Sequence, residues 1–182
     1  MELILSIALG VGLSAACGFR IFVPLLVVSA AAQGGYLTLS PGFQWMAGYP
    51  ALVTFAVATV LEILAYYIPW VDNLLDTIAT PAAVVAGAVV TAAVVTDVDP
   101  WLKWTLAVIA GGGTAVLRGL SSVTTAGLGN FVVATAEWIG SFTTSLFALL
   151  FPLVTLVLLV TILIVIFGRR GRRLSPKPGA AH

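Results

Sequence analysis

Two arginines lie in the middle of long apolar stretches of this sequence. Arg20 is the only charged residue between Leu3 and Ala32, and Arg118 lies within the apolar residues 101–134. A guanidinium does not lose its charge in proteins, and a charge at membrane depth costs about 2.5–3.5 kcal/mol by the lowest estimates. A carboxylate, water or a bound anion reduces that cost. The two arginines therefore predict an ion pair or a binding site for an anionic group.

Glu62 is the best candidate for the partner of Arg20. It lies seven residues before Pro69, about 10 Å along a helix from that end. A carboxylate at this depth would neutralise Arg20 from another helix. Two alternatives are open: Glu62 has solvent access at its helix end, and Arg20 extends to a lipid head group from the end of a short helix.

A second group of polar residues follows in the second half of the chain. Glu137 either belongs to the site or lies in the first turn of a helix capped by Thr135, where the helix dipole favours a carboxylate. The stretch "GLSSVTTAGLGN", residues 119–130, is polar and glycine-rich inside an apolar region. It either binds an anion or head group or packs helices closely. The binding candidates are Arg20, Glu62, Arg118, Ser121, Ser122, Thr124, Thr125, Asn130 and Glu137.

The sequence offers little for catalysis or metal binding. Its only histidine, His182, is the last residue, and its only cysteine, Cys17, has no other ligands near it in sequence. Asp72 and Asp76 lie four apart on one face of a short amphipathic turn but lack the flanking ligands of a calcium loop. We therefore predict no enzymatic activity, no cofactor and no metal. We expect Cys17 to be a small, buried packing residue.

The elements that position the arginines are predicted to lie in a membrane. The 182 residues are 60% hydrophobic and only 8% charged, whereas soluble domains carry about a quarter charged residues. Eight basic and seven acidic residues cannot cover a water-facing surface. The composition therefore predicts an all-α, polytopic integral membrane helical bundle, residues 1–168, with the lipid bilayer as its partner.

The number of spans depends on the two longest segments. The apolar segments are about 3–33, 48–68, 80–96, 101–134, 136–150 and 151–168. A spanning helix needs about 20 residues, so the first and fourth are too long for one straight helix. If each is broken or re-entrant near its arginine, the chain has about six spans. If each holds two short spans joined at the arginine, it has eight, with both arginines outside, against the positive-inside rule.

Prolines and aromatic residues mark the ends of these segments. Pro81 suits the first turn of a helix over 80–96, and the small side chains of that helix predict close packing. The uncharged residues 34–49 resemble an interfacial loop with Trp45 as an anchor, and 97–104 a polar turn with interfacial tryptophans.

The two halves of the chain align loosely as repeats 1–97 and 101–168. "GLSAACGFR" ends at Arg20 and "GGGTAVLR" at Arg118, and a segment with one glutamate follows each. If each half has three spans, the second is inverted relative to the first. Inverted 3+3 repeats with broken helices are typical of transporters, with the site at the repeat interface. The alternative is a chance order of common features.

The C-terminal residues 169–182 are predicted to be a basic, disordered cytoplasmic tail. Five of the eight basic residues lie in "GRRGRRLSPKPGAAH", and such charges are retained on the cytoplasmic side. Both termini are then cytoplasmic, and no cleavable signal peptide is evident. The preference for Arg over Lys suggests a bacterial inner membrane. Nothing in the tail predicts nucleic-acid binding, although it would attract anionic head groups weakly.

The order of these motifs resembles a known family. "GLSAACGFRIFVPLL", "LEILAYYIPWVDNLLDTIATPAAVVAGA" and "LRGLSSVTTAGLGN" with a following glutamate are similar to the domain-of-unknown-function family numbered 4126. These are small bacterial multi-pass proteins, and the resemblance covers most of residues 5–140. It implies a multi-pass topology and brings no function with it.

Three functional hypotheses follow. The first is a transporter, flippase or channel-like protein for an anionic small molecule or lipid head group, with Arg20 and Arg118 as the positive charges and Glu62 as a titratable counter-charge. The second is a structural or assembly factor, in which Arg20 and Glu62 lock helices and small-residue faces bind partners or a second copy. The third, a lipid-modifying enzyme, lacks a nucleophile–base pair or metal cluster.

Overall fold

The computed structural model describes residues 2–65, 67–125 and 131–174, with side chains described for 2–65, 67–68, 78–116, 134–165 and 168. Every regular element of these residues is a helix, so the all-α prediction is confirmed. In chain order they are α1 (Glu2–Cys17), α2 (Phe22–Gln33), a 3₁₀ helix (Pro41–Ala47), α3 (Tyr49–Ala65), α4 (Pro69–Val94), α5 (Pro100–Thr125), α6 (Phe131–Leu150) and α7 (Pro152–Leu174).

The first apolar segment, 3–33, forms two helices that run in roughly opposite directions. Along α1, Gly10 contacts Thr91 and Val94 of α4, and Ser14 contacts Gly87, so α1 and α4 are antiparallel. Beyond the end of α2, the N–H of Ser40 donates to Ala93 O (2.8 Å), near the end of α4. Residues 18–21, named the break below, therefore form the turn of a helical hairpin.

Two more helices pack against this hairpin in antiparallel fashion. The side chain of Glu62, near the end of α3, meets the start of α2. At the opposite end of this pair, Ser29 Oγ of α2 donates to Met46 O, just before α3 (2.6 Å). Along α6, Glu137 bonds to Arg20, while Ala148 approaches Gly12 of α1. The break is therefore enclosed by α3 and α6.

Small residues let α1, α4 and α5 approach closely, as the small side chains of 80–96 predict. A Cβ added at Gly111 of α5 would lie 2.5 Å from Val84 O of α4, and one at Gly87 would lie 2.8 Å from Thr114 Oγ1. Glycine at these two positions permits direct contact between helix backbones. The region around Gly10, Ser14, Gly87, Gly111 and Thr114 is named the seam.

Hydroxyl groups in the seam bond to backbone carbonyls. Ser14 Oγ and Thr114 Oγ1 lie 2.8 Å apart, and Thr114 Oγ1 also donates to Ser14 O (2.9 Å). Thr91 Oγ1 contacts Gly87 O at 2.8 Å and Gly10 O at 3.1 Å. These bonds satisfy polar groups that would be costly to bury alone.

Five exposed aromatic residues lie at one end of the bundle, named the aromatic end, and others, including Tyr67 and Trp138, are exposed elsewhere. It contains the connections from α2 to α3 and from α4 to α5, which Phe43 and Trp104 join with ring centroids 6.3 Å apart. Lys103 Nζ donates to Ser40 Oγ across the same connections (3.1 Å). The aromatic side chains exposed here are Tyr36, Trp45, Tyr49, Trp101 and Trp104.

Helix α4 is longer than predicted. It begins at Pro69, and Pro81, expected in a first turn, lies inside it. Asp72 and Asp76, predicted on a short turn, belong to its helical backbone, and their side chains lie outside the described residues. The polar turn over 97–104 is shorter than predicted, because α5 begins at Pro100. Asp97 has a φ of 57° in that turn.

No single helix among the described residues is both long and apolar enough to span a bilayer. The 3₁₀ helix and α3, which meet at a bend of 68°, satisfy that criterion together on length and composition. The helical backbone of α7 continues to Leu174, six residues into the predicted tail, and 175–182 lie outside the description.

Candidate functional site

The break follows from two residues of the local sequence. A helix continuing from α1 into α2 would need an N–H at position 24 to bond to Arg20 O, and Pro24 has none. Gly18 also has a low helix propensity. The chain instead closes α1 with a tight turn, in which Gly18 N donates to Ala15 O (3.0 Å) and Phe19 N to Ala16 O (3.1 Å). The predicted interruption of segment 3–33 at its arginine is therefore confirmed.

Arg20 is held inside the bundle, with 1% of its surface exposed. Its Nη2 donates to Glu137 Oε2 at 3.1 Å and to Ala134 O at 3.2 Å, both in α6. Arg20 comes three residues after Cys17, the last residue of α1. The dipole of a helix favours a positive charge near its C-terminus. The Arg20 side chain therefore points into the bundle in this structure, and its extension to a lipid head group stays a prediction.

Glu62 binds the start of α2 with both carboxylate oxygens. Ile21 N donates to Oε1 at 2.8 Å, and Phe22 N donates to Oε2 at 3.0 Å. Ile21, the N-cap residue of α2, has no side-chain cap hydrogen bond of its own. Glu62 is buried and supplies a negatively charged acceptor where the first N–H groups of a helix lack partners.

Both acids that the sequence singled out lie at the break, and Glu137 forms a described salt bridge with Arg20. Glu62 was the best candidate for the partner of Arg20, whereas the salt bridge that the structure describes for Arg20 is to Glu137. The alternative for Glu137, in the first turn of a helix capped by Thr135, is wrong because α6 begins at Phe131. The Thr135 hydroxyl lies 3.2 Å from Tyr67 OH instead.

Two serines that sequence reasoning missed complete the contact between α6 and the break. Ser141 Oγ contacts Ala16 O at 3.0 Å and Arg20 O at 3.4 Å. Ser145 Oγ donates to Ser141 O at 2.7 Å, and both serines are fully buried. Glu137, Ser141 and Ser145 are spaced four residues apart, which places them on one helix face. That spacing is the signal that the sequence contained.

The side chains of the remaining candidates lie outside the part of the chain that the structure describes. Arg118, Ser121, Ser122, Thr124 and Thr125 have α5 backbone positions, but their side chains lie outside the described residues, and so does the whole of Asn130. Arg118 is not at a helix break, because α5 continues through it to Thr125. Cys17 is fully buried beside the break, as predicted, and carries a free thiol.

An apolar groove leads away from the break between α3 and α4. It consists of two adjoining cavities of about 470 Å³ and 480 Å³, which share Ile21, Phe22 and Ala82 in their walls. One end reaches Glu62, and the other reaches Trp45. We name it the α3–α4 groove.

These features define an all-helical bundle whose first helical hairpin turns at a buried arginine between two glutamates. The family model for the domain of unknown function DUF4126 matches residues 7–170. The chain therefore belongs to that family, as the resemblance indicated, and the match includes Arg20, Glu62 and Glu137. No curated protein and no solved structure matches the chain.

Proposed function

We propose that this protein is a multi-pass membrane transporter or flippase that binds an anionic solute or lipid head group at the break. The observation that carries the proposal is a nearly fully buried guanidinium, Arg20, at a helix break, with the carboxylates of Glu137 and Glu62 on either side. Charges at membrane depth mark substrate pathways, and broken helices are typical of transporter sites.

The exposed surface supports the membrane setting. Large apolar side chains are exposed along α3, including Val53, Val57 and Leu64, and along α7, including Val157 and Ile164. Monomeric soluble proteins rarely expose apolar patches of more than a few hundred Å². Lipid tails would cover such faces without loss of free energy.

The position of the break supports a site at depth. The exposed tryptophans and tyrosines of the aromatic end suit the interface between head groups and lipid tails. Helix α2 has 12 residues, so the break lies about 18 Å from that end at 1.5 Å per residue. In a hydrocarbon core of about 30 Å, the break is then slightly beyond the centre.

The contacts suggest how an anion would be bound. The two carboxylates occupy the groups that an anionic substrate would use, namely the guanidinium of Arg20 and the N–H groups of Ile21 and Phe22. A substrate would take these donors when Glu137 or Glu62 turns away. Protonation of either glutamate would weaken its hold, and this would couple transport to protons.

The alternative function is a structural or assembly factor that does not transport. It is favoured by the same contacts, because they join the hairpin to α3 and α6 and so fix four helices together. In that function the charges serve only the fold, and no substrate replaces either carboxylate.

Flux measurements on the full chain in proteoliposomes decide between the two. Transport of an anionic lipid or phosphate compound is expected in the wild type, partly retained in Arg20→Lys and lost in Arg20→Ala. Thermal unfolding in detergent identifies variants that fail to fold. Absence of flux from the wild type for both classes of compound would exclude the transport proposal.

A charge exchange provides the sharper test. The double variant Arg20→Glu, Glu137→Arg keeps an ion pair between the break and α6 but reverses its direction. If the pair is only structural, the double variant regains the unfolding temperature of the wild type, and any flux that the wild type shows returns with it. If Arg20 binds the substrate, stability returns and flux does not.

A further inference from the structure

The α3–α4 groove opens sideways and is apolar along its length. Its walls include the exposed residues Leu61 of α3 and Ile78 and Val85 of α4, so it is open to whatever covers these faces. Its length is about 16 Å, at 1.5 Å per residue from Ile78 to Val89. A soluble anion would gain nothing from such walls, whereas a hydrocarbon chain would bury apolar surface against them.

Among the described residues that line the groove, the ionisable side chain is Glu62, at one end. Glu62 lines the cavity of about 470 Å³ and accepts hydrogen bonds from the N–H groups of Ile21 and Phe22, two residues that line both cavities. The groove therefore adjoins the break at Glu62 and the first N–H groups of α2, whereas the Arg20 guanidinium lies on the α6 side of the break and lines neither cavity. A ligand complementary to the groove and the break has a polar head near the break and one chain directed towards Trp45.

We propose that the α3–α4 groove holds one acyl chain of an anionic phospholipid whose head group lies at the break and binds the N–H groups of Ile21 and Phe22 when Glu62 turns away from them. This inference rests on the proposed function and names its substrate class, a lipid taken from the bilayer through the gap between α3 and α4.

Photocrosslinking tests the groove independently of transport. The full chain is reconstituted in vesicles of phosphatidylcholine and phosphatidylglycerol with a trace of phosphatidylglycerol that carries a diazirine in one acyl chain. After irradiation, mass spectrometry is expected to locate adducts on Leu61 and Ile78. Adducts should fall about tenfold or more in Ala82→Trp, which fills the groove from an exposed position.

Val57→Trp is the matched control, because Val57 is exposed on α3 and does not line the groove. Val85→Trp blocks the cavity that reaches Trp45, also from an exposed position. It replaces Ala82→Trp if that variant fails to fold. Adducts on Leu61 and Ile78 no more frequent than on Val57, or unchanged by both blocking variants, would overturn the inference.

Transport measurements separate this inference from the proposed function. In the same vesicles, translocation of fluorescent phosphatidylglycerol should fall about tenfold in Ala82→Trp and be unchanged in Val57→Trp. Uptake of glycerol phosphate that is lost in Arg20→Ala but unaffected by Ala82→Trp would overturn the lipid inference and support transport of a soluble anion. Adducts in the groove without translocation of either compound would support the lipid site and contradict transport.

Discussion

Helix α1 takes part in two buried polar regions that are built in different ways. In the seam, its middle packs against α4 and α5 through glycines, and neutral hydroxyls bond to backbone carbonyls. At the break, its end is surrounded by a guanidinium and two carboxylates from α3 and α6. In the seam the helices continue, and neutral hydroxyls satisfy the buried polar groups. At the break two helices end, and their dipoles and the backbone groups without an intrahelical partner favour charged side chains.

This difference predicts that the break is the more sensitive region to loss of a side chain. Glu137→Ala leaves the Arg20 guanidinium without the carboxylate of its salt bridge in a site where it is 1% exposed. We expect the free energy of unfolding to fall by about 3 kcal/mol, the lower end of the range for buried pairs that lose one partner, because 26% of the Glu137 side chain is exposed. Denaturant unfolding of the purified chain in detergent measures it.

Glu137→Gln serves as the control for this prediction, because its amide oxygen still accepts from Arg20 while the charge is removed. It should lose clearly less stability than Glu137→Ala. If Glu137→Ala unfolds at the same denaturant concentration as the wild type, the salt bridge does not stabilise the fold.

The seam should respond to added volume rather than to lost charge. Gly111→Ala places a methyl group 2.5 Å from Val84 O, and relief of this overlap should cost about 2 kcal/mol. The adjacent Gly112→Ala meets nothing within 4 Å and should instead stabilise the helix by up to about 1 kcal/mol. Thermal unfolding of the two variants compares them; effects of the same sign at both positions would contradict the close contact of α4 and α5.

Removal of the cap on α2 should have a more local effect. Glu62→Ala removes the acceptor for Ile21 N and Phe22 N, and loss of a helix cap costs about 1–2 kcal/mol. Hydrogen exchange should accelerate at these two amides more than at the middle of α2. Val60→Ala, on the exposed side of α3, is the control, and equal exchange in both variants would argue against a capping role.

The smallest effect is expected at the contact between α6 and the end of α1. Ser141→Ala removes the hydroxyl that contacts Ala16 O and Arg20 O, at a cost of about 1 kcal/mol. Thr143→Ala, exposed on the same helix, should change stability by less than about 0.5 kcal/mol. Indistinguishable melting temperatures for the two variants would show that the serine is dispensable.

The sequence predicted what depends on neighbours in the chain. The all-helical class follows from the composition. The break at Arg20 follows from Gly18 and Pro24, which act on the backbone next to them. The pairing of Arg20 with Glu137 joins residues 117 positions apart, and no local pattern distinguishes Glu137 from Glu62 as the partner. The predicted 3+3 inverted repeat stays a prediction, and the continuous backbone of α5 at Arg118 differs from the break at Arg20.

The start of α4 shows how packing overrides a local signal. A proline inside a helix costs about 3 kcal/mol, so Pro81 favoured a helix that starts beside it. The structure continues the helix from Pro69 through Pro81, because the later part of α4 packs against both α1 and α5. The hydrogen bonds of Glu62 to α2 were equally hidden, since they require the fold to bring the end of α3 to the break.

The two ties between α2 and α3 have a mechanical consequence. Glu62 fastens α3 to the first turn of α2, and Ser29 fastens α2 to the residues just before α3 at the opposite end. If α2 and α3 slid along each other or separated, at least one of these two contacts would have to break. Helices α2 and α3 are therefore expected to behave as one unit, and loss of the Glu62 contact alone would leave them held by the Ser29 contact at the opposite end.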